Sequence, residues 1–190
     1  GRSSREDRVQ AAVLRVQYVL QKKPAYIALC SDISSQADSA FHGMHIFSVP
    51  GVDSASVIYA ICEKAARKGL RIVIVSDNPL LTTLVSESVV QMKSDNTTIG
   101  PSDIEFEHGF DPKYLLLYHT VTKCIEGVGN GLASRLVLEA ETVDDIVAGC
   151  TSQMMKSVIV DKLDDMRRMH ESLQFKKFEF KITNELLRNR

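Results

Sequence analysis

The sequence predicts an α/β fold of three layers, RecA- or Rossmann-like, with a mostly parallel sheet covered by helices on both faces. Three observations carry this. Short apolar runs such as Tyr26-Ile27-Ala28-Leu29-Cys30 and Arg71-Ile72-Val73-Ile74-Val75 have the length and side chains of buried strands. Segments with apolar residues at helical spacing lie between them. Turn formers separate the two kinds, and strands alternating with helices are the pattern of a parallel sheet with helical crossovers.

The elements follow in order. Val9, Val13, Val16 and Leu20 keep helical spacing, so residues 5–21 read as an amphipathic helix that Pro24 ends. Tyr26 to Cys30 is a strand, the Ser- and Asp-rich stretch 31–39 a loop, and His45 to Val49 a second strand running into Pro50-Gly51. Asp53 or Ser54 caps a helix through Lys68, with Val57, Ile58, Ile61 and Ala65 on its buried face and Gly69 ending it. Arg71 to Val75 is the clearest strand, Ser76 to Pro79 a turn, and Leu80 to Met92 reads as a helix. Ile104 to Glu107, Tyr114 to Tyr118 and Arg135 to Glu139 read as strands, the last after a loop containing Gly127, Gly129 and Gly131. Thr142 or Asp144 caps a further helix, Ser157 to Val160 reads as a strand, and Lys162 to Ser172 as a helix. Phe178, Phe180 and Ile182 alternate with charged residues as a half-buried strand would.

The chain's 190 residues suit one compact domain, and 44% hydrophobic with 25% charged residues is the balance of a chain with a real core. The expected organisation is an N-terminal helix over 1–23, a lobe over 24–172 and a C-terminal extension over 173–190. A net charge of -1 supplies no global field for nucleic acid, so any such contact must come from a local patch. The four cysteines, Cys30, Cys62, Cys124 and Cys150, form no C-x-x-C pair and read as small buried hydrophobes. No apolar run spans a bilayer and the start is no signal peptide, so the expectation is an intracellular, cytoplasmic protein without membrane contact.

In open α/β sheets ligands sit beyond the carboxyl ends of the strands. Those ends are residues 31–34, 76–78, 119–122 and 139–142. No Walker-type phosphate loop occurs, and the glycine loop precedes what reads as a strand rather than a phosphate-binding helix terminus, so it reads as a flexible turn. His42 and His45 are spaced i, i+3 without a carboxylate beside them, and Asp144-Asp145 and Asp164-Asp165 read as solvated helix faces. No metal site and no cofactor is expected from these. Ser31-Asp32 and Asp77-Asn78 after strands are similar to the SGNH hydrolase layout, but Ile33 stands where its serine belongs.

Taken together, the blocks from Pro24 to Lys156 resemble the C-terminal RecA-like lobe of a DEAD-box-like superfamily 2 helicase. Tyr26 to Ser34 resembles its Ser-Ala-Thr strand, Arg71 to Ser76 its motif IV strand and Ile104 to Gly109 its His-Gly strand. Tyr114 to Val121 falls at motif V and Arg135 to Gln153 at motif VI. The motif V and VI arginines are absent: Cys124 to Gly127 and Ala148 to Ser152 stand in their places. The resemblance therefore implies a catalytically inactive lobe that does not use ATP. It would be a scaffold bound to a protein partner or to itself as a homodimer, in an RNA-processing ribonucleoprotein such as those of Tudor-domain helicase-like piRNA-pathway proteins. Lys93, Lys123 and Arg135 are the expected RNA contacts on the strand-end edge. The competing reading is a metal-dependent hydrolase or nuclease, with Asp32 and Asp77 as ligands and His119 as general base.

Overall fold

The computed structural model describes residues 4–31, 46–179 and 181. They form two units, residues 1–64 with 176–190 and residues 65–175. Among the described residues no helix is long and apolar enough to cross a membrane.

The first unit opens with α1 (Arg5–Gln21). Ser4 caps it reciprocally: its Oγ accepts from Asp7 N–H at 3.1 Å while Asp7 Oδ2 accepts from Ser4 N–H at 3.0 Å. Strands β1 (Leu29–Cys30) and β2 (Ile46–Phe47) pair in parallel, Leu29 opposite Ile46. After a turn at Pro50-Gly51, where Gly51 takes φ +74°, the chain enters α2 (Ser54–Arg67). Asp53 caps α2, accepting from Ser56 N–H at 3.2 Å and from Ser56 Oγ–H at 2.7 Å. Gly69 follows α2 at φ +72°, a left-handed conformation that ends helices at little cost only for glycine.

In the second unit β3 (Ile72–Val75) pairs in parallel with β4 (Val89–Met92), which pairs antiparallel with β5 (Thr98–Ile99). The remainder is helical: α3 (Pro101–His108), α4 (Leu115–Cys124), α5 (Asn130–Val137), α6 (Val143–Ala148), α7 (Gln153–Asp161) and α8 (Leu163–Leu173). One core joins them, including Leu115, Val121, Ala133, Val137, Ile146, Ile159 and Met166, all at 2% exposure or less. Burying each large aliphatic side chain is worth about 1.5–3 kcal/mol.

The α/β class holds. The single three-layer RecA-like sheet does not: the described strands form one pair and one three-stranded mixed sheet. Five segments account for the difference. Residues 80–92, expected as a helix, are a 3-10 turn (Leu81–Leu84) followed by β4, because Ser86 folds the chain back through its bonds with Val89 and Ser88. Ile104 to Glu107 lies in α3, which starts with Pro101 at its first position and Asp103 accepting from Gly100 N–H at 2.7 Å. Tyr114 to Tyr118 opens α4, whose apolar face (Leu115, Leu117, Tyr118, Val121) continues at helical spacing. Arg135 to Val137 closes α5, where Ala133 and Val137 are fully buried at i, i+4. Ser157 to Val160 likewise lies inside α7, capped by Ser152. Phe178, Glu179 and Lys181 have no regular structure, and Phe180 and Ile182 fall outside the described residues.

Candidate functional site

The turn after β3 is the strand end with the most complete geometry. Buried Gln91 on β4 holds it: Nε2 donates to Ser76 O at 2.9 Å and to Asn78 O at 3.0 Å, and Oε1 accepts from Thr82 Oγ1 at 2.5 Å. Asp77, between the two carbonyls, accepts from Ser94 N–H at 2.8 Å. That amide, then the Ser94 side chain, holds the Asp77 carboxyl below the usual range, with a smaller contribution from Lys93. Asp77 is therefore an ionised carboxylate at a strand end, where the sequence places it.

The residues expected beside it do not gather there. Asp32, His42 and His45 lie outside the described residues. His119 lies in the middle of α4 rather than at a strand end, because its segment is helical. Burial, then Lys123 and His108, lowers its pKa, so the imidazole is neutral near pH 7. Lys93 is in the β4–β5 turn, its N–H donating to Thr97 O at 2.9 Å, while exposed Lys123 and Arg135 occupy the last turns of α4 and α5. The three cations are thus on two structures, not one edge, and Lys123 and Arg135 share the α4–α5 hairpin.

That hairpin is what the sequence undervalues. Gly127 takes φ +76° in the turn, and Gly129 caps α5 with no side-chain bond to its first amides. A Cβ at Gly127, Gly129 or Gly131 would meet nothing within 4 Å, so this surface is open. The first intrahelical bond runs from Ala133 N–H to Gly129 O at 2.9 Å, which places the three preceding amides at the helix's positive end. Tyr118 on α4 fixes the turn: its hydroxyl donates to Asn130 Oδ1 at 2.9 Å. Its ring packs against the stacked pair of His108 and Phe110, at 4.6 and 5.7 Å between centroids. The loop reads as a plain turn only while α5 is taken for a strand. The signal that identifies the helix is the small–apolar spacing of Ala133 and Val137.

Among the described residues no three His, Cys, Asp or Glu side chains come together to hold a metal ion. Asp53 gives both oxygens to its helix cap and Asp77 gives Oδ1 to Ser94. The acidic pairs are helix surface, Asp144 and Asp164 with Arg167 and Asp165 with Arg168. Burial pushes the Cys30 and Cys62 thiols up to about 12, so both are inert.

Acid stability follows from these groups. Asp77, Asp95 and Asp145 have lowered pKa values from hydrogen bonds, and His119 and His170 from burial. A depressed folded-state pKa stabilises above the unfolded value and is lost as pH falls through the folded one. Calorimetry is expected to show Tm declining gently below about pH 6.5 as the histidines charge, then steeply below about pH 4 as the carboxylates protonate. Asp145→Asn should blunt the second step; an unchanged acid limb contradicts the assignment.

No protein-family model matches the chain. The chain is 24% identical over 137 residues to the thermostable DNA polymerase I of Thermus filiformis, covering 68% of this chain and 16% of that protein. It therefore spans about one sixth of the length of that relative. Among solved structures it is similar to a point mutant of the T5 5'-exonuclease, with a TM-score of 0.70 at 12% identity, covering 87% of this chain and 80% of that one. It is also similar to the bacteriophage T5 D15 flap endonuclease in a pseudo-enzyme–product complex with DNA and metal ions. There the TM-score is 0.59 at 11% identity, covering 87% and 83% of the two chains. A third likeness is to T5 5'-exonuclease with bound zinc, at a TM-score of 0.60 and 14% identity, covering 72% and 56%.

The fold is thus the one these nucleases have, and the helicase-lobe reading is wrong. Its physical error is local: the blocks matched to the His-Gly strand, motif V and the start of motif VI are α3, α4 and α5. The inactive-helicase scaffold in an RNA-silencing particle falls with it.

Proposed function

We propose that this chain is a 5'-nuclease-type domain that engages DNA near an end or branch, gripping the phosphate backbone with the α4–α5 hairpin. The observation that carries this is the likeness to T5 5'-exonuclease over most of the chain. The hairpin supplies the chemistry. The first amides of α5 have no side-chain cap, and Gly127, Gly129 and Gly131 leave room for close approach. Lys123 and Arg135 add cationic charge on the same hairpin, the local patch that a chain of net charge -1 requires. Contacts of this kind read shape and backbone rather than base sequence.

Fluorescence anisotropy with a 5'-flap duplex, a blunt duplex and single-stranded RNA tests this. The flap is expected to bind tightest. Lys123→Ala combined with Arg135→Ala should weaken it about tenfold and flatten the salt dependence by roughly two ions. Equal binding of all three probes, or none, overturns the reading.

Cleavage is the second reading, favoured by the ionised Asp77 at the β3 end and by the metal ions of the T5 complex. The described residues do not by themselves fit a divalent metal. Its test is a 5'-labelled flap incubated with manganese: products that Asp77→Ala abolishes support it, and an intact substrate rejects it.

A further inference from the structure

Helix α1 of the first unit carries a stripe of positive charge. Residues 5–23 hold five basic residues (Arg5, Arg8, Arg15, Lys22, Lys23) against two acidic ones (Glu6, Asp7), a local excess in a chain of net charge -1. Arg8, Arg15 and Lys22 recur every seven residues, close to two helical turns, and so fall on one side of α1 and its C-cap. The apolar Val9, Val13, Val16 and Leu20 face another way and are half-buried, while Arg8 and Lys22 are exposed. Neither acidic residue neutralises the stripe. Asp7 gives Oδ2 to Ser4 N–H, and Glu6 stands two positions from Arg8, across the helix. Arg8 and Lys22 form no ion pair among the described residues. Tyr18 stands between the second and third cations. The Arg15 guanidinium carbon is 5.2 Å and Lys22 Nζ 5.3 Å from its ring centroid, so the ring's negative face holds both. A guanidinium held by its face keeps its N–H groups as in-plane donors, and an ammonium over a ring keeps donors to spare.

We infer that this stripe is a second phosphate-binding surface, on which Arg8, Arg15 and Lys22 contact the backbone of a DNA strand and Tyr18 positions two of them. This deepens, and rests on, the DNA-binding reading above; the α4–α5 hairpin belongs to the other unit. Seven residues of helix rise about 10.5 Å, so the three cations span about 21 Å. A duplex strand presents a phosphate about every 3.4 Å of its axis, so each long side chain meets one without any bend of the helix. An anionic lipid surface would also attract the cations, but it takes a helix by an exposed apolar face. Here that face, Val9, Val13, Val16 and Leu20, is half-buried.

The test is fluorescence anisotropy of the full chain with the 5'-flap duplex over a salt series. Arg8→Gln with Lys22→Gln, which keeps helix propensity, is expected to weaken binding about tenfold and to flatten the salt dependence by roughly two ions. Arg8→Lys with Lys22→Arg, which keeps the charge, should bind as the wild type does. Tyr18→Leu should weaken binding about threefold, and Tyr18→Phe, which keeps the ring, should restore it. Equal loss from the charge-keeping and charge-removing pairs would mark a merely structural role and overturn the surface. Unchanged affinity and slope in the glutamine pair, while Lys123→Ala with Arg135→Ala still weakens binding, overturns the stripe alone. Tighter binding of the wild type to phosphatidylserine vesicles than to the duplex overturns it as well. If the wild type binds no DNA, the stripe and the nuclease-type reading fail together.

Discussion

Ile159→Ala is expected to cost about 2–5 kcal/mol and to lower Tm by roughly 10 °C or more. Ile159 is fully buried on α7 in the core shared with Ile146, Val137 and Met166. Deleting its outer carbons loses their burial and leaves a cavity that rigid helices on several sides fill only in part. The neighbouring Val158 is 39% exposed, so Val158→Ala should stay within about 0.5 kcal/mol. Urea unfolding of the two variants checks this, and similar losses from both would contradict the helical burial of residues 153–161.

Gln91→Leu is the second large effect, expected at roughly 2–4 kcal/mol although the two side chains are close in volume. Its amide group is fully enclosed and makes three bonds, so leucine would orphan Ser76 O and the Thr82 hydroxyl and leave Asn78 O with only its bond from Leu81 N–H. The damage should be local as well as global, because the same clamp holds the turn that carries Asp77. Faster exchange of the Ser94 amide, which bonds Asp77, is the specific sign. A variant as stable as the wild type, with that amide still protected, would show that the clamp does not hold the turn.

These two positions also show what the sequence makes legible. Elements whose ends carry their own chemistry are readable: Pro24 after α1, Asp53 and Gly69 around α2, Thr142 at the start of α6. Asp77 is readable too, as a carboxylate just past an unmistakable strand. Short apolar runs are not. Leu115-Leu116-Leu117-Tyr118 and Ser157-Val158-Ile159-Val160 suit a strand or a helix equally over four residues, and length alone decides. Reading them as strands supplied the sheet that a helicase lobe needs and hid the helix that follows Gly129. His119 was lost the same way: at the end of a strand it is a candidate base, and inside α4 it is a half-buried, neutral imidazole. Gln91 gives no sequence signal, since a buried amide is recognisable only by the carbonyls it meets.

The most direct test of the account is a two-dimensional NMR titration of the labelled chain with an unlabelled 5'-flap duplex. The largest amide shifts are expected at Gly129, Asn130, Gly131 and Leu132, with Lys123→Ala and Arg135→Ala shrinking them at a given DNA concentration. Shifts that spare the α4–α5 hairpin, or that single-stranded RNA reproduces equally well, would contradict it.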